Sequence, residues 1–234
     1  MNAFEYAAPR NLKDATELLA GKWGETEILA GGTDLVTCLK QGLTAPKRVV
    51  SLKNVAELKG IKSEGGELRI GATTTLAELV ANKTVVEHFP SLMAAAKGIG
   101  STQMLSVGTV GGDLCQRPRC WYFRNGLGLL AQKDGASLVP DGENRYHAIF
   151  GNDGAAKFVS ASSLGPALIA LGASITVAGP GGKTRKIPAA DFFQTPKTEN
   201  DRETALKPNE VVSTRIASKA SPFGFSRNSM TRPS

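Results

Sequence analysis

The chain has 234 residues and a formal net charge of +7, with 41% hydrophobic and 6% aromatic residues. This composition is typical of a folded globular protein and excludes a disordered one, and no apolar run reaches the roughly 18 to 20 residues that cross a bilayer. Three cysteines cannot all pair within one chain, and the first ten residues lack the pattern of a secretory signal. These features argue against a disulfide scaffold and favour a reducing compartment.

The first part of the chain predicts alternating helices and strands. The predicted elements are, in chain order, a helix over 11–20, a strand over 26–30, a helix over 33–41 and a strand over 48–52. Asn11 is a favourable N-cap for the first helix, and Gly31 and Gly32 separate the first strand from the second helix. This order indicates a small parallel βαβ lobe, which we expect to cover about residues 1–55.

From residue 58 the pattern changes, and helices alternate with single strands. The expected elements are a strand over 67–72, helices over 75–80, 92–97 and 164–171, strands over 174–178 and 184–187, and a last strand over 210–216. Thr75 and Glu78 have the spacing of a capping box. Ser91 is expected to cap the next helix, and either Ser162 or Ser163 the one after it.

The glycine-rich link between the strands over 174–178 and 184–187 predicts an antiparallel hairpin. Helices mixed with antiparallel strands indicate a second lobe, over about residues 56–218, and the predicted fold class is therefore α+β. Residues 219–234 have no periodicity and are predicted to form an irregular tail.

The first segment with chemical information is a glycine turn between a strand and a helix. It consists of Leu29, Ala30, Gly31, Gly32, Thr33, Asp34, Leu35 and Val36. Glycine lets backbone N–H groups approach a ligand closely, and the helix start adds unpaired donors, which predicts a seat for a phosphate or diphosphate. The Asp34 carboxylate would repel phosphate, so we expect it to point away and favour the first helical turn. The alternative is an ordinary turn without a ligand.

A second glycine-rich segment lies about 75 residues further along. It contains Gly108, Thr109, Gly111, Gly112 and Asp113, with Val110 between them. Three glycines in five residues disfavour a strong helix or a regular strand. We therefore expect a tight loop whose amides face inward, so that the two loops grip the two ends of a dinucleotide. A bulged strand followed by a turn is the alternative.

The motifs AGGTDLV over 30–36, LRIGATTTLAEL over 68–79 and GTVGGDL over 108–114 occur in this order and are followed by QRPRCWYFR. Over roughly residues 3–216 the chain resembles the FAD-binding medium subunit of molybdenum hydroxylases. These include xanthine dehydrogenase, carbon monoxide dehydrogenase and aldehyde oxidoreductase. The resemblance implies a two-lobe PCMH-type flavin domain, in which residues 29–36 and 108–113 hold the diphosphate and adenosine portion of FAD.

The resemblance also implies partners and an electron path. A large subunit carries the molybdenum cofactor, a small subunit carries [2Fe–2S] centres, and electrons pass through FAD to NAD+ or another acceptor. The complex is expected in the cytoplasm, although export beside a signal-bearing partner stays open. Family members carry a further C-terminal domain, which we expect to be missing here. No catalytic residue is expected on this chain, because the flavin carries the redox chemistry.

Two departures from the family pattern concern individual side chains. The family usually has asparagine where Asp113 stands, and an ionised aspartate cannot donate the hydrogen bond that an amide donates. Many members also have an aspartate just before the helix that starts here at Leu164, where this chain has Ser162 and Ser163. The resemblance therefore implies one flavin contact fewer at Asp113, and no carboxylate is carried over to residues 161–164.

Residues 117–124 alternate basic and aromatic side chains. They predict either a loop packed against a partner subunit, which is the favoured interpretation, or a surface that stacks on nucleic-acid bases. In the related subgroup this region leads into an insertion that binds a [4Fe–4S] cluster, which takes four thiolates. This chain has only Cys38, Cys115 and Cys120, so no cluster is expected on it alone. His88 and His147 have no metal-binding context.

The predicted function is that of a flavoprotein electron-transfer subunit. Two alternatives of other classes remain: a structural subunit of the same complex that has lost flavin, and a nucleic-acid-binding module. The net positive charge favours an anionic ligand or serves solubility alone, and it is not gathered into the run of like charges that nucleic-acid tails carry. We therefore expect neither nucleic acid nor a membrane among the partners.

Overall fold

The computed structural model describes residues 1–64 and 67–213. Its strands are β1 (Glu5–Ala7), β2 (Thr26–Leu29), β3 (Arg48–Ser51), β4 (Ile61–Glu64), β5 (Glu67–Ile70), β6 (Gln132–Lys133), β7 (Ala136–Ser137), β8 (Ser174–Ala178), β9 (Thr184–Pro188) and β10 (Val211–Val212). Its helices are α1 (Leu12–Glu17), α2 (Leu35–Lys40), α3 (Leu76–Ala81), α4 (Lys83–His88), α5 (Pro90–Lys97), α6 (Thr102–Val107), α7 (Val110–Leu114), α8 (Trp121–Arg124), α9 (Leu164–Ala170) and α10 (Ala189–Phe192). The fold class is α+β, as predicted.

The first sheet is parallel and has the strand order β1-β3-β2. The predicted βαβ unit is present, because β2 and β3 pair in parallel with α2 between them, and Val49 and Val50 of the central strand are buried. The sequence did not predict β1, since an edge strand of three residues is too short to show an alternating pattern. The first glycine turn, at Gly31 and Gly32, follows the carboxyl end of β2.

The remaining strands pair antiparallel. The hairpin of β8 and β9 is confirmed, and β10 adds to the other side of β8. Gly181 and Gly182 in the hairpin have φ of 68° and 74°, a conformation that glycine adopts without steric cost. The last residues of the strand predicted over 210–216 and the predicted tail over 219–234 lie outside the described residues.

The helix starts agree with the capping predictions in part. The capping box of α3 is confirmed, with the Thr75 hydroxyl accepting from the Glu78 N–H at 3.1 Å and the Glu78 carboxylate accepting from the Thr75 N–H at 2.7 Å. The prediction for Ser91 was wrong, because α5 already begins at Pro90, whose fixed φ suits the first helical position. Of the two serines before α9, Ser162 bonds the Gly165 N–H through its hydroxyl, at 3.0 Å.

Two short helices, α4 and α6, were not predicted, although their N-caps are visible in the sequence. The Asn82 carboxamide accepts from the N–H of Val85, and the Ser101 hydroxyl accepts from the N–H of Met104. Each helix has only six residues, which is too short for an apolar stripe to repeat. No helix among the described residues has the length and apolar composition of a bilayer span.

A single main core joins the first sheet to the helices that follow it, with Val50 and Leu52 packed into the same cluster as β5, β8 and α9. The division into two lobes near residue 55 therefore stays a prediction. Residues 117–160 contribute a smaller separate cluster, formed by Cys120, Phe123, Leu129, Leu130 and Ala156. The main core and this cluster flank a cleft that begins at the first glycine turn.

Candidate functional site

The cleft has a volume of about 210 Å³ and brings together the turn after β2, the start of α7 and the chain over 202–212. Of the predicted site residues, those that line it are Ala30, Gly31, Gly32, Thr33, Asp34, Leu35, Thr109, Gly111 and Gly112. Leu29, Val36, Gly108 and Asp113 belong to the same segments and are not in its lining. The structure thus unites the two glycine segments at one cleft.

The first glycine turn presents unpaired donors to this cleft. Within the described residues, the N–H groups of Gly32, Thr33 and Asp34 make no hydrogen bond. Gly32 has a φ of 83°, and a Cβ on Gly31 would collide with the carbonyl oxygen of Val107. The turn therefore needs glycine at both positions, and three of its backbone donors remain without a partner among the described residues.

The Asp34 carboxylate is held by donors from residues 117–124. It accepts from the Arg117 N–H at 2.8 Å and from Arg124 Nη2 at 2.8 Å, and Arg119 Nη2 lies 3.5 Å away. The expected contact with the first turn of α2 is not made, because these arginine and amide donors occupy the carboxylate. Neutralised in this way, Asp34 does not oppose an anion at its own backbone amide.

The second glycine segment is a helix and not the predicted inward-facing loop. Thr109 caps α7 by accepting from the Gly112 N–H at 3.1 Å, and the N–H groups of Val110 and Gly111 donate to the carbonyls of Thr74 and Ala72. The prediction was wrong because the neighbouring chain supplies acceptors that a sequence pattern does not reveal. A Cβ on Gly111 would lie 2.9 Å from the Ala72 Cβ, so this glycine serves close packing.

Asp113 joins α7 to α9. Its buried carboxylate accepts from the Ser162 hydroxyl at 2.6 Å, from the Leu164 N–H at 3.0 Å and from Gln116 Nε2 at 3.0 Å. Residues 161–164 contain no acidic side chain. The carboxylate at the start of α9 is therefore that of Asp113 in α7. Burial raises the pKa of Asp113, and the hydrogen bond from Ser162 is the largest effect opposing that rise.

We expect Asp113→Asn to change how stability depends on pH. The raised pKa means that the folded state favours the protonated form of Asp113. Its contribution to the free energy of unfolding is therefore fully present below an ordinary aspartate pKa of about 4 and is lost as pH rises through the raised pKa. The slope from one proton is at most about 1.4 kcal/mol per pH unit. Urea unfolding between about pH 4 and 7 should give the wild type a more negative slope than the variant. Parallel slopes would contradict the assignment.

The far wall of the cleft carries Arg202 and Glu203, which the sequence analysis did not single out, beside Arg117 of the segment 117–124. Arg117 Nη1 lies 3.1 Å from Glu203 Oε2, and the Arg202 guanidinium lies 4.8 Å from the ring centroid of Trp23. Burial raises the pKa of Glu203, and the nearby Arg117 is the largest influence in the other direction. Residues 202 and 203 sit in an irregular segment without motif or periodicity, so no sequence signal pointed to them.

Residues 117–124 turn their charges inward. The guanidinium groups of Arg117 and Arg124 lie 5.2 Å and 5.6 Å from the centroid of the Phe123 ring, and both side chains are mostly buried. Trp121, half exposed, stacks on Tyr146 at 6.2 Å between ring centroids. This segment therefore supports the first glycine turn, and most of its cations are unavailable to a nucleic acid.

The three cysteines lie in separate surroundings. Cys38 Sγ is 3.1 Å from Arg124 Nη1, and Cys120 Sγ is 3.1 Å from His147 Nε2. Burial raises the pKa of the Cys115 thiol to about 12, so it is protonated at neutral pH. In the described part of the chain, no three cysteine, histidine or acidic side chains are grouped closely enough to hold a metal ion.

A glycine turn with unpaired amides at a cleft is typical of proteins that bind nucleotides. Residues 2–216 match the family described as the FAD binding domain in molybdopterin dehydrogenase. The chain belongs to this family.

Two relatives and one solved structure give the extent of the similarity. The aldehyde oxidoreductase FAD-binding subunit of Escherichia coli is 30% identical over 215 residues, covering 91% of this chain and 67% of the relative. The xanthine dehydrogenase FAD-binding subunit of Escherichia coli is 39% identical over 111 residues, covering 47% of this chain and 38% of the relative. The carbon monoxide dehydrogenase structure from Hydrogenophaga pseudoflava has a TM-score of 0.67 at 26% identity, and the match covers 94% of this chain and 61% of the chain in that structure. The chain thus spans two thirds or less of these proteins' lengths.

Proposed function

We propose that this chain is the FAD-binding electron-transfer subunit of a molybdenum-containing hydroxylase. The observation that carries the proposal is the set of unpaired amides at Gly32, Thr33 and Asp34, three residues that line a cleft shared by both glycine segments. Backbone donors in such a turn suit a diphosphate, and FAD is the dinucleotide that the family binds. The residues present therefore fit the cofactor.

In this proposal each segment has a distinct task. The amides of Gly32 and Thr33 bind the diphosphate, and Arg117, at the cleft wall, balances the negative charge of Glu203 at 3.1 Å. Gly111 lets the start of α7 pack closely against Ala72 at the facing wall. Bound FAD accepts and releases electrons one or two at a time, and the protein holds and orients it.

The proposal extends to partners and to the direction of electron flow. By analogy with relatives named as subunits of aldehyde oxidoreductase and xanthine dehydrogenase, we infer a large subunit with the molybdenum cofactor and a small subunit with [2Fe–2S] centres. FAD held by this chain would then supply electron transfer to NAD+ or another acceptor. All three cysteines are free thiols, which suits a cytoplasmic location.

Titration of the chain with FAD tests the proposal, with Gly32→Ala and Gly42→Ala as matched variants. Both glycines have positive φ, 83° and 71°, so alanine strains the backbone at both, while only Gly32 lines the cleft. A Cβ at position 32 would also lie 3.0 Å from Leu29 Cδ1, whereas a Cβ at position 42 would have no atom within 4 Å. A strain of about 1 kcal/mol at the seat corresponds to a roughly fivefold weaker Kd for Gly32→Ala. We expect Gly42→Ala to bind FAD like the wild type.

Saturable binding followed by flavin fluorescence, with this difference between the variants, supports the flavin seat. A wild-type chain that stays colourless after incubation with FAD and desalting contradicts it. That result would favour the alternative of a flavin-free structural subunit.

A further inference from the structure

Glu203 lies on the cleft wall, and only one of its two carboxylate oxygens has a partner among the described residues. Oε2 lies 3.1 Å from Arg117 Nη1. Oε1 is buried and accepts no hydrogen bond from any residue in the described part of the chain. The Glu203 side chain is 12% exposed and lines the cleft. It is therefore an acceptor that the protein desolvates and leaves incomplete.

A buried acceptor without a donor is rare and unfavourable, and buried polar atoms beside a ligand cleft commonly obtain their partner from the ligand. Both oxygens of an ionised carboxylate accept hydrogen bonds, and a protonated carboxyl group retains an acceptor oxygen. Burial raises the pKa of Glu203, and Arg117 is the largest influence opposing that rise. The partner that suits the buried Oε1 acceptor is an O–H or N–H donor.

The position of Glu203 narrows the choice of donor. Arg117 links Glu203 to the first glycine turn, since its guanidinium faces the Glu203 carboxylate and its own N–H donates to Asp34 at 2.8 Å. Glu203 thus belongs to the same network as the anion seat, with an arginine to offset its charge. The donors of a dinucleotide that adjoin its diphosphate are the hydroxyl groups of the ribose and of the ribityl chain.

We propose that Glu203 is a ligand-binding residue of this cleft, which accepts a hydrogen bond from a sugar-type hydroxyl next to the diphosphate of the bound nucleotide. The inference rests on the proposed function, because it takes FAD as the ligand. It adds a specificity contact from the segment over 202–212, outside both glycine motifs.

The test compares Glu203→Gln and Glu203→Leu with the matched control Asp201→Asn. Asp201 lies two positions away, and its carboxylate accepts from the N–H groups of Lys197 and Thr198 outside the cleft. Losing a hydrogen bond to a charged acceptor raises Kd by about tenfold to hundredfold. We expect this loss of FAD affinity for Glu203→Leu, a smaller loss of about threefold to tenfold for Glu203→Gln, and a change within about twofold for Asp201→Asn.

Titrations with ADP and with FMN identify the hydroxyl. If the ribose is the donor, the Glu203 variants weaken ADP binding and leave FMN unchanged, and if the ribityl chain is the donor the reverse holds. Unchanged affinity for FAD in both Glu203 variants overturns the proposal. A wild-type chain that binds no FAD refutes the proposed function instead, so the two failures are distinguishable.

Thermal unfolding separates ligand binding from a structural role. Glutamine at position 203 still offers an oxygen to Arg117, so the ligand-free Tm should change by no more than about 2 °C, while the Tm increase on adding FAD becomes smaller. A lower ligand-free Tm with the full FAD-induced increase would assign Glu203 to structure alone and overturn the proposal.

Discussion

Replacing Gly31 with alanine is expected to remove FAD binding and to destabilise the fold by about 3 kcal/mol, the upper part of the range for overpacking. A Cβ at this position collides with the carbonyl oxygen of Val107, at the end of α6. The obstacle is backbone, which cannot rotate away as a side chain does, so the turn or α6 must move. Urea unfolding of the apoprotein and flavin content after reconstitution measure the two effects.

Gly21→Ala is the matched control for this substitution. A methyl group on Gly21 would have no atom within 4 Å, and the residue has no positive φ, so alanine there should leave stability within about 0.5 kcal/mol and FAD binding unchanged. If Gly31→Ala behaved like Gly21→Ala, the close approach of the turn to α6 would not be needed for the seat.

The second large effect is expected for Arg124→Met, at about 3–5 kcal/mol of lost stability. Arg124 Nη2 donates to Asp34 at 2.8 Å and to the carbonyl of Arg117 at 2.9 Å, and Nε donates to the carbonyl of Pro118 at 2.7 Å. The Arg124 and Asp34 side chains are each only 14% exposed, so removing the arginine takes the nearest cation away from a desolvated carboxylate. Among the described residues, Asp34 then keeps only the Arg117 N–H at 2.8 Å and Arg119 Nη2 at 3.5 Å. Because Asp34 belongs to the first glycine turn, FAD affinity should fall as well. Chemical unfolding and FAD titration check both expectations.

Two further variants show whether the buried charge causes the loss. Arg145→Met removes an exposed arginine, 67% accessible and paired with Glu143, and should change stability by less than about 1 kcal/mol. The double variant Asp34→Asn with Arg124→Met removes both charges and should recover part of the stability lost in the single variant. Equal losses in the single and double variants would show that packing, and not the unpaired carboxylate, dominates.

Local patterns predicted those parts of the fold whose stabilising contacts lie close in sequence. The capping box at Thr75 and Glu78 spans three residues, and the hairpin of β8 and β9 needs only its glycine turn and two alternating strands. The βαβ order around Gly32 is also local. Element ends were less accurate, because a proline at position 90 started α5 earlier than the serine cap suggested.

The second glycine segment shows where such patterns fail. Its glycines predicted a loop, yet α7 forms because Thr109 caps it and the carbonyls of Ala72 and Thr74 receive its first amides. Glycine at 111 is required by the approach of Ala72, almost forty residues earlier in the chain. Helix propensity is a weak preference that tertiary contacts override.

By itself the sequence determined the family, the α+β class and the first glycine turn, since each depends on residues within one short segment or on the order of motifs. Only the tertiary structure decided how the charged side chains are used. Asp34 meets Arg124 across 90 positions, and Asp113 meets the start of α9 across 51. The physical reason is that the partner of a buried charge is set by whichever donors the packed chain brings within about 3 Å, and no periodicity in the sequence encodes that distance.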